Sequence, residues 1–150
     1  MDLWGRLSRV RQDVLPLNDL KRPTILLADE YVAFHDVWRM LLEPEYEVIG
    51  TVENGQALID AAIRLTPDII ISDIGMPIIN GFEALRRLIM IQPDVKFIFL
   101  TVYNEPTYIE EAQRAGASGY VNKCQAVSEL PPAIRKALSE GVFYLSRFGT

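Results

Sequence analysis

Sulfur and imidazole are almost missing from this sequence: one cysteine, Cys124, and one histidine, His35, stand among 150 residues. A single cysteine excludes an internal disulfide and suits a reducing compartment. The lone histidine has no second His or Cys nearby and is assigned no metal role; beside Phe34 on the first helix it is expected at the surface, in reach of a partner. No apolar run approaches the roughly 20 residues of a membrane-spanning helix, so membrane insertion is not expected. The first residues carry neither a continuous apolar core nor a small-residue cleavage site, and a cytoplasmic location is expected. Positive charge is in deficit as well: 15 Lys and Arg against 20 Asp and Glu give a net charge of -5 and a pI of about 4.9. Such a balance argues against direct nucleic acid contact from this chain. There is no Gly-rich phosphate loop after the first strand, which disfavours a nucleotide-binding fold, and no internal repeat.

What is present is the composition of an ordinary globule, 49% hydrophobic and 23% charged, at a length that suits one domain with an appendage. The basic charge collects at one end. Arg6, Arg9, Arg11, Lys21 and Arg22 face only Asp2, Asp13 and Asp19 in residues 1–23, so the remainder is strongly acidic. Within 1–22, Leu3, Leu7, Val10, Val14 and Leu17 form a heptad seam, but Pro16 interrupts a helix after about Leu15. Two heptads are compatible with a short dimerising or docking helix and equally with a loosely packed extension; Trp4 favours the helix.

The stretch from residue 67 to 81, PDIIISDIGMPIING, anchors the rest. Ile69, Ile70 and Ile71, bounded by Pro67 and a Gly/Pro turn, read as a strand buried on both faces. Asp73 then stands at the C-terminal tip, where parallel α/β sheets place their chemistry. Around it the pattern alternates: strands at 24–28, 46–52, 95–100 and 118–121, helices between them, and a last helix from about Ser128 whose Pro131 and Pro132 are expected in its first turn. Residues 141–150 read as a tail or the start of a linker. Five strand and helix pairs imply a parallel sheet covered on both faces by right-handed crossovers, with the tips along one edge.

Four tips carry polar groups: Asp29-Glu30, Asp73, Thr101 and Lys123. Three carboxylates against one lysine make a cluster that keeps a proton or binds a cation. An all-oxygen set without His or Cys favours Mg2+. Carboxylate, hydroxyl, ammonium and Mg2+ together are equipment for phosphoryl transfer, with Asp73 as the nucleophile.

With LLADE, the D-x-G-M-P-x-x-x-G run from Asp73 to Gly81, Thr101 after the fourth strand, and GYVNK ending in Lys123, the chain resembles a response regulator receiver domain of two-component signalling over about residues 23–140. The EGVFYLS tail is similar to the subgroup that continues into a helix-turn-helix DNA-binding domain. The resemblance implies a flavodoxin-like strand order 2-1-3-4-5. It implies Asp73 as phosphoacceptor, Mg2+ held by Asp29, Glu30 and Asp73 with the Gly75 carbonyl, and Thr101 and Lys123 bonding the phosphoryl group. Tyr120 matches the aromatic that moves inward with the threonine, remodelling the helix from about Glu105, the last strand and the last helix. The implied partners are a sensor histidine kinase or a histidine phosphotransfer protein, and a second copy in a homodimer. Two departures stand out. Glu30 occupies a position where the family most often has Asp, and its extra methylene is expected to shift the metal; Val102 is bulkier than the usual small residue and narrows access.

Other readings stay open. The chain could serve as a phosphorylation-independent interaction module of the same fold. An aspartyl-phosphate phosphatase would need a second Asp two residues after the nucleophile, where Gly75 stands. Tyr120 alone reads equally as a packing residue, and Lys123 alone as a surface lysine.

Overall fold

The computed structural model describes residues 21–146; the heptad seam from Leu3 to Leu17 lies outside them. The apolar runs become β1 (Thr24–Ala28), β2 (Glu47–Val52), β3 (Ile69–Ser72), β4 (Phe97–Thr101) and β5 (Gly119–Asn122). Between them run α1 (Val32–Leu42), α2 (Gly55–Leu65), α3 (Gly81–Ile91) and α4 (Pro106–Ala115), and α5 (Ala126–Ser139) follows a 3-10 turn at Lys123–Gln125. All strands are parallel, in the order β2-β1-β3-β4-β5 that the resemblance implies, with one strand added at the outer edge: β6 (Tyr144–Leu145) pairs with β5. That strand comes from the segment read as a tail, and two residues are too few to show a periodicity.

Side chains alternate across the sheet, and each face buries its own set. Leu26, Ile70, Phe97, Phe99 and Tyr120 meet α2, α3 and α4. Ile25, Ile69, Ile71, Ile98 and Val121 meet Trp38 and Leu42 of α1 and Leu130, Ile134 and Ala137 of α5. The central strands are apolar on both faces because both are covered.

Local chemistry sets the helix boundaries. Asn54, read as part of a turn, caps α2 through Oδ1, which accepts from Ala57 N at 2.8 Å, and Asn80 caps α3 by accepting from Glu83 N at 3.0 Å. Gly116 ends α4 at φ 96°, a left-handed cap that suits glycine. One expectation fails: α5 begins at Ala126, so Pro131 and Pro132 lie inside it rather than in its first turn. Proline lacks the N–H that would bond four residues back. The residues deprived here, Val127 and Ser128, are exposed, so water can serve their carbonyls.

Candidate functional site

Register brings the tips together. Ala28 is level with Ser72 across β1 and β3, and Thr101 with Asn122 across β4 and β5, so the next residues along these strands emerge at one edge. Asp73 N donates to Ala28 O at 2.9 Å and Asp29 N to Val52 O at 3.0 Å, which ties both acidic residues to the neighbouring strand. Both carboxylates are buried. Asp29 Oδ1 accepts from Tyr31 N at 2.9 Å and Asp73 Oδ1 from Ile74 N at 2.7 Å, leaving each Oδ2 for a side-chain partner.

Lys123 joins them. Its Nζ lies 2.8 Å from Asp29 Oδ2 and 2.7 Å from Asp73 Oδ2, so the two oxygens are at most about 5.5 Å apart. The ammonium also sits 4.5 Å from the centre of the Phe34 ring, which in turn stacks on Trp38. Burial alone would push the Lys123 pKa down, but hydrogen bonds and charge from Asp29 and Asp73 outweigh it and hold it above the ordinary lysine value.

Thr101 and Tyr120 meet at Tyr103. Thr101 is buried and its Oγ1 accepts from Tyr103 N at 3.3 Å. Tyr120 is fully buried, and its hydroxyl donates to Tyr103 O at 2.8 Å. Burial, then the charges of Glu105 and Asp73 with Tyr108, holds that hydroxyl protonated far above the usual tyrosine range. The ring that the resemblance marks as one that moves inward lies inside in this structure, as a packing residue would. Tyr103 stacks on Tyr108 of α4 with ring centres 5.0 Å apart, and Tyr108 stacks on Phe82 of α3.

A cleft of about 180 Å³ opens over Asp73, lined by Glu30, Phe34, Gly75, Val102, Tyr103 and Lys123 among others. Glu30 and Gly75 are exposed at its rim, and Val102 is 59% exposed. Gly81 packs closely against Asp73 from α3: a side chain there would overlap the Asp73 carbonyl oxygen and approach Phe99 Cε1 to 2.9 Å. Among the described residues no three His, Cys, Asp or Glu side chains are grouped to hold a metal by themselves. A cation at this edge would rest on two carboxylates, carbonyl oxygen and water, the coordination that suits Mg2+. Each carboxylate oxygen still has acceptor capacity beyond its one bond, so the donor set fits that ion.

Three participants escaped the sequence reading. His35, expected at the surface, is buried, and its Nε2 bonds the Asp29 carbonyl oxygen at 2.8 Å. Its spacing of three from Trp38 was the available signal, since both fall on the inward stripe of α1. Phe34, placed only in that stripe, supports the Lys123 ammonium. Ser146, in the tail, is buried and bonds β5; nothing in its surroundings in the sequence points there.

Comparison with known proteins matches this arrangement to one family. The model of the response regulator receiver domain matches residues 25–135. Transcriptional regulatory protein DegU of Brevibacillus brevis is 34% identical over 130 residues, covering 86% of this chain and 55% of DegU. Response regulator GacA of Pseudomonas aeruginosa is 34% identical over 124 residues, covering 81% of this chain and 58% of GacA. The chain thus spans just over half the length of these relatives. Among solved structures, a two-component response regulator of the LuxR family from an Aurantimonas species superposes with a TM-score of 0.79 at 28% identity, over 84% of this chain and 91% of that one. The non-phosphorylated receiver domain of the stress response regulator RcsB from Escherichia coli gives 0.76 at 25% identity, over 85% and 100%. With a family match across most of its length and relatives at 34% identity, the chain belongs to the response regulator receiver domain family.

Proposed function

We propose that this domain is switched by phosphorylation of Asp73. The observation that carries the reading is the Lys123 ammonium buried between Asp29 and Asp73 at the tips of the central strands. In the reaction, an Asp73 carboxylate oxygen attacks the phosphorus of the donor, the bond from phosphorus to its carrier breaks, and the carrier leaves with the electron pair. The product is an acyl phosphate on Asp73. Lys123 neutralises a phosphoryl oxygen and Thr101 donates to another once it arrives. Asp29 and Asp73, with the Gly75 carbonyl, would hold Mg2+ directly and Glu30 at the rim would reach it through water, and the charge of the ion would offset that gathering on the phosphoryl oxygens.

Tyr103 gives the site a route outward. Its N–H bonds Thr101, its carbonyl bonds Tyr120, and its ring rests on α4. Displacement of the Thr101 hydroxyl toward a phosphoryl group therefore strains all three contacts. The surface remodelled would be α4, β5 and α5. The donor would be a sensor histidine kinase or a histidine phosphotransfer protein in the cytoplasm, and a homodimer and control of transcription would be the output. Support for that output is the naming of DegU as a transcriptional regulator. The division into an extension at 1–22, a receiver domain at 23–140 and a tail at 141–150 belongs to the same proposal, with β6 docked on the domain.

The test is direct. Incubated with a small phosphodonor and Mg2+, the protein should gain one phosphoryl group by intact mass, and Asp73→Asn should gain none. Equal labelling of the variant would refute Asp73 as acceptor. A wild type that never labels would favour the phosphorylation-independent interaction module, for which exposed Glu30 and Val102 at the rim are the motivating features.

A further inference from the structure

β6 is short, yet its bonds fall on the part of β5 that frames the site. Ser146 N donates to Tyr120 O at 2.9 Å, and Ser146 Oγ accepts from Asn122 N at 3.0 Å. Asn122 lies opposite Thr101 in the β4–β5 ladder and directly precedes Lys123. The serine hydroxyl takes the place of the carbonyl that a longer neighbouring strand would offer, so it ends the ladder with Asn122 N–H satisfied. Ser146 itself is only 2% exposed.

The segment before it is fastened at three further points. Tyr144 N donates to Ser118 O at 3.0 Å, the Tyr144 hydroxyl bonds Glu129 of α5, and Phe143 packs against the core on the face that holds Tyr120. Residues 143–146 all lie beyond the stretch matched by the family model, which ends at 135.

We propose that Ser146 is a positioning residue for Lys123 and Tyr120, which makes residues 143–146 a working part of the phosphoryl-accepting unit. The argument is mechanical. A lysine has four methylenes and many rotamers, so its ammonium is placed between two carboxylates only if its backbone is fixed. β5 would otherwise be the outer strand, with Asn122 N–H and Tyr120 C=O open to solvent and its end free to shift. Ser146 closes both groups at once. This deepens the proposed function and rests on it in one respect: if Asp73 is phosphorylated, docking of β6 and occupancy of Asp73 are linked, and the linkage acts equally in both directions.

The experiment uses the full chain with Ser146→Ala, and Thr24→Val as a control that cuts the contacts of the Thr24 hydroxyl with Asp68 at the opposite end of the sheet. Acylation of Lys123 by an amine-reactive reagent is followed by peptide mass, with exposed Lys136 as internal reference. Ser146→Ala should acylate Lys123 about 5-fold faster and bind beryllofluoride with Mg2+ about 5-fold more weakly, and Thr24→Val should do neither. Rates and affinities within a factor of about two of wild type, or equal changes in the control, overturn the proposal. If beryllofluoride never binds the wild type, the phosphoryl reading fails while the Lys123 rate still decides the role of Ser146. Should Ser146→Ala not fold, hydrogen exchange at the Ser146 amide of the wild type decides: it should slow when beryllofluoride binds, and an unchanged rate overturns the coupling.

Discussion

Replacing Lys123 with methionine keeps the length of the side chain and removes its charge. The two carboxylate oxygens it bridges lie at most about 5.5 Å apart. At an effective dielectric near 20, unit charges at that separation repel by about 3 kcal/mol. That is the lower end of the roughly 3–5 kcal/mol expected when one partner of a buried ion pair is deleted. Lys123→Met should therefore lose about 3 kcal/mol of unfolding free energy near neutral pH, read from urea midpoints at constant slope. Supplying Mg2+ offsets the two negative charges, so the deficit should shrink on adding Mg2+. The wild type should differ at the alkaline end. Its Lys123 pKa is raised on folding, so the stabilisation from this group is complete below the ordinary lysine value and is lost as pH rises through the higher folded value. The variant has no such alkaline loss from this group. A deficit independent of Mg2+, with the alkaline loss unchanged in the variant, would show that Lys123 acts through packing on Phe34 and not through charge, and would refute the reasoning.

Two further substitutions probe the supports of the site. Gly81→Ala forces a methyl group against the Asp73 carbonyl oxygen and Phe99, and should cost about 1–3 kcal/mol in thermal or urea unfolding and slow phosphodonor labelling of Asp73. His35→Leu leaves the Asp29 carbonyl without its side-chain donor, and should destabilise by about 1–3 kcal/mol; an unchanged urea midpoint would mean that water replaces the imidazole without loss.

Much of the site was legible because its residues end apolar runs. Asp29, Asp73 and Thr101 follow strands that can only be central, and the crossover rules then align their tips. Lys123 could be placed in the same way, one residue past β5. The spacing of His35 from Trp38 placed it on the inward stripe of α1, but its bond to the Asp29 carbonyl depends on where α1 lies over the end of β1, which helical spacing does not contain. β6 itself was not legible, because a strand of two residues gives no period to read. The prolines of α5 misled for a related reason: local preference puts Pro131 and Pro132 in a first turn, but the apolar contacts of Ala126 and Leu130 with the sheet carry the helix further back.

The alternating inward side chains make the sheet a partition between two separate oil layers, and Asp73 sits where both reach the rim. On one side the contact runs from Lys123 through Phe34 to Trp38; on the other it runs from Tyr103 through Tyr108 to Phe82. An event at a single carboxylate thus speaks to two bodies of packing that share no side chain. The packing behind α4 and the packing behind α1 can therefore be altered by separate sets of mutations, because the sheet that separates the two layers leaves them in contact with Asp73 only through its edge.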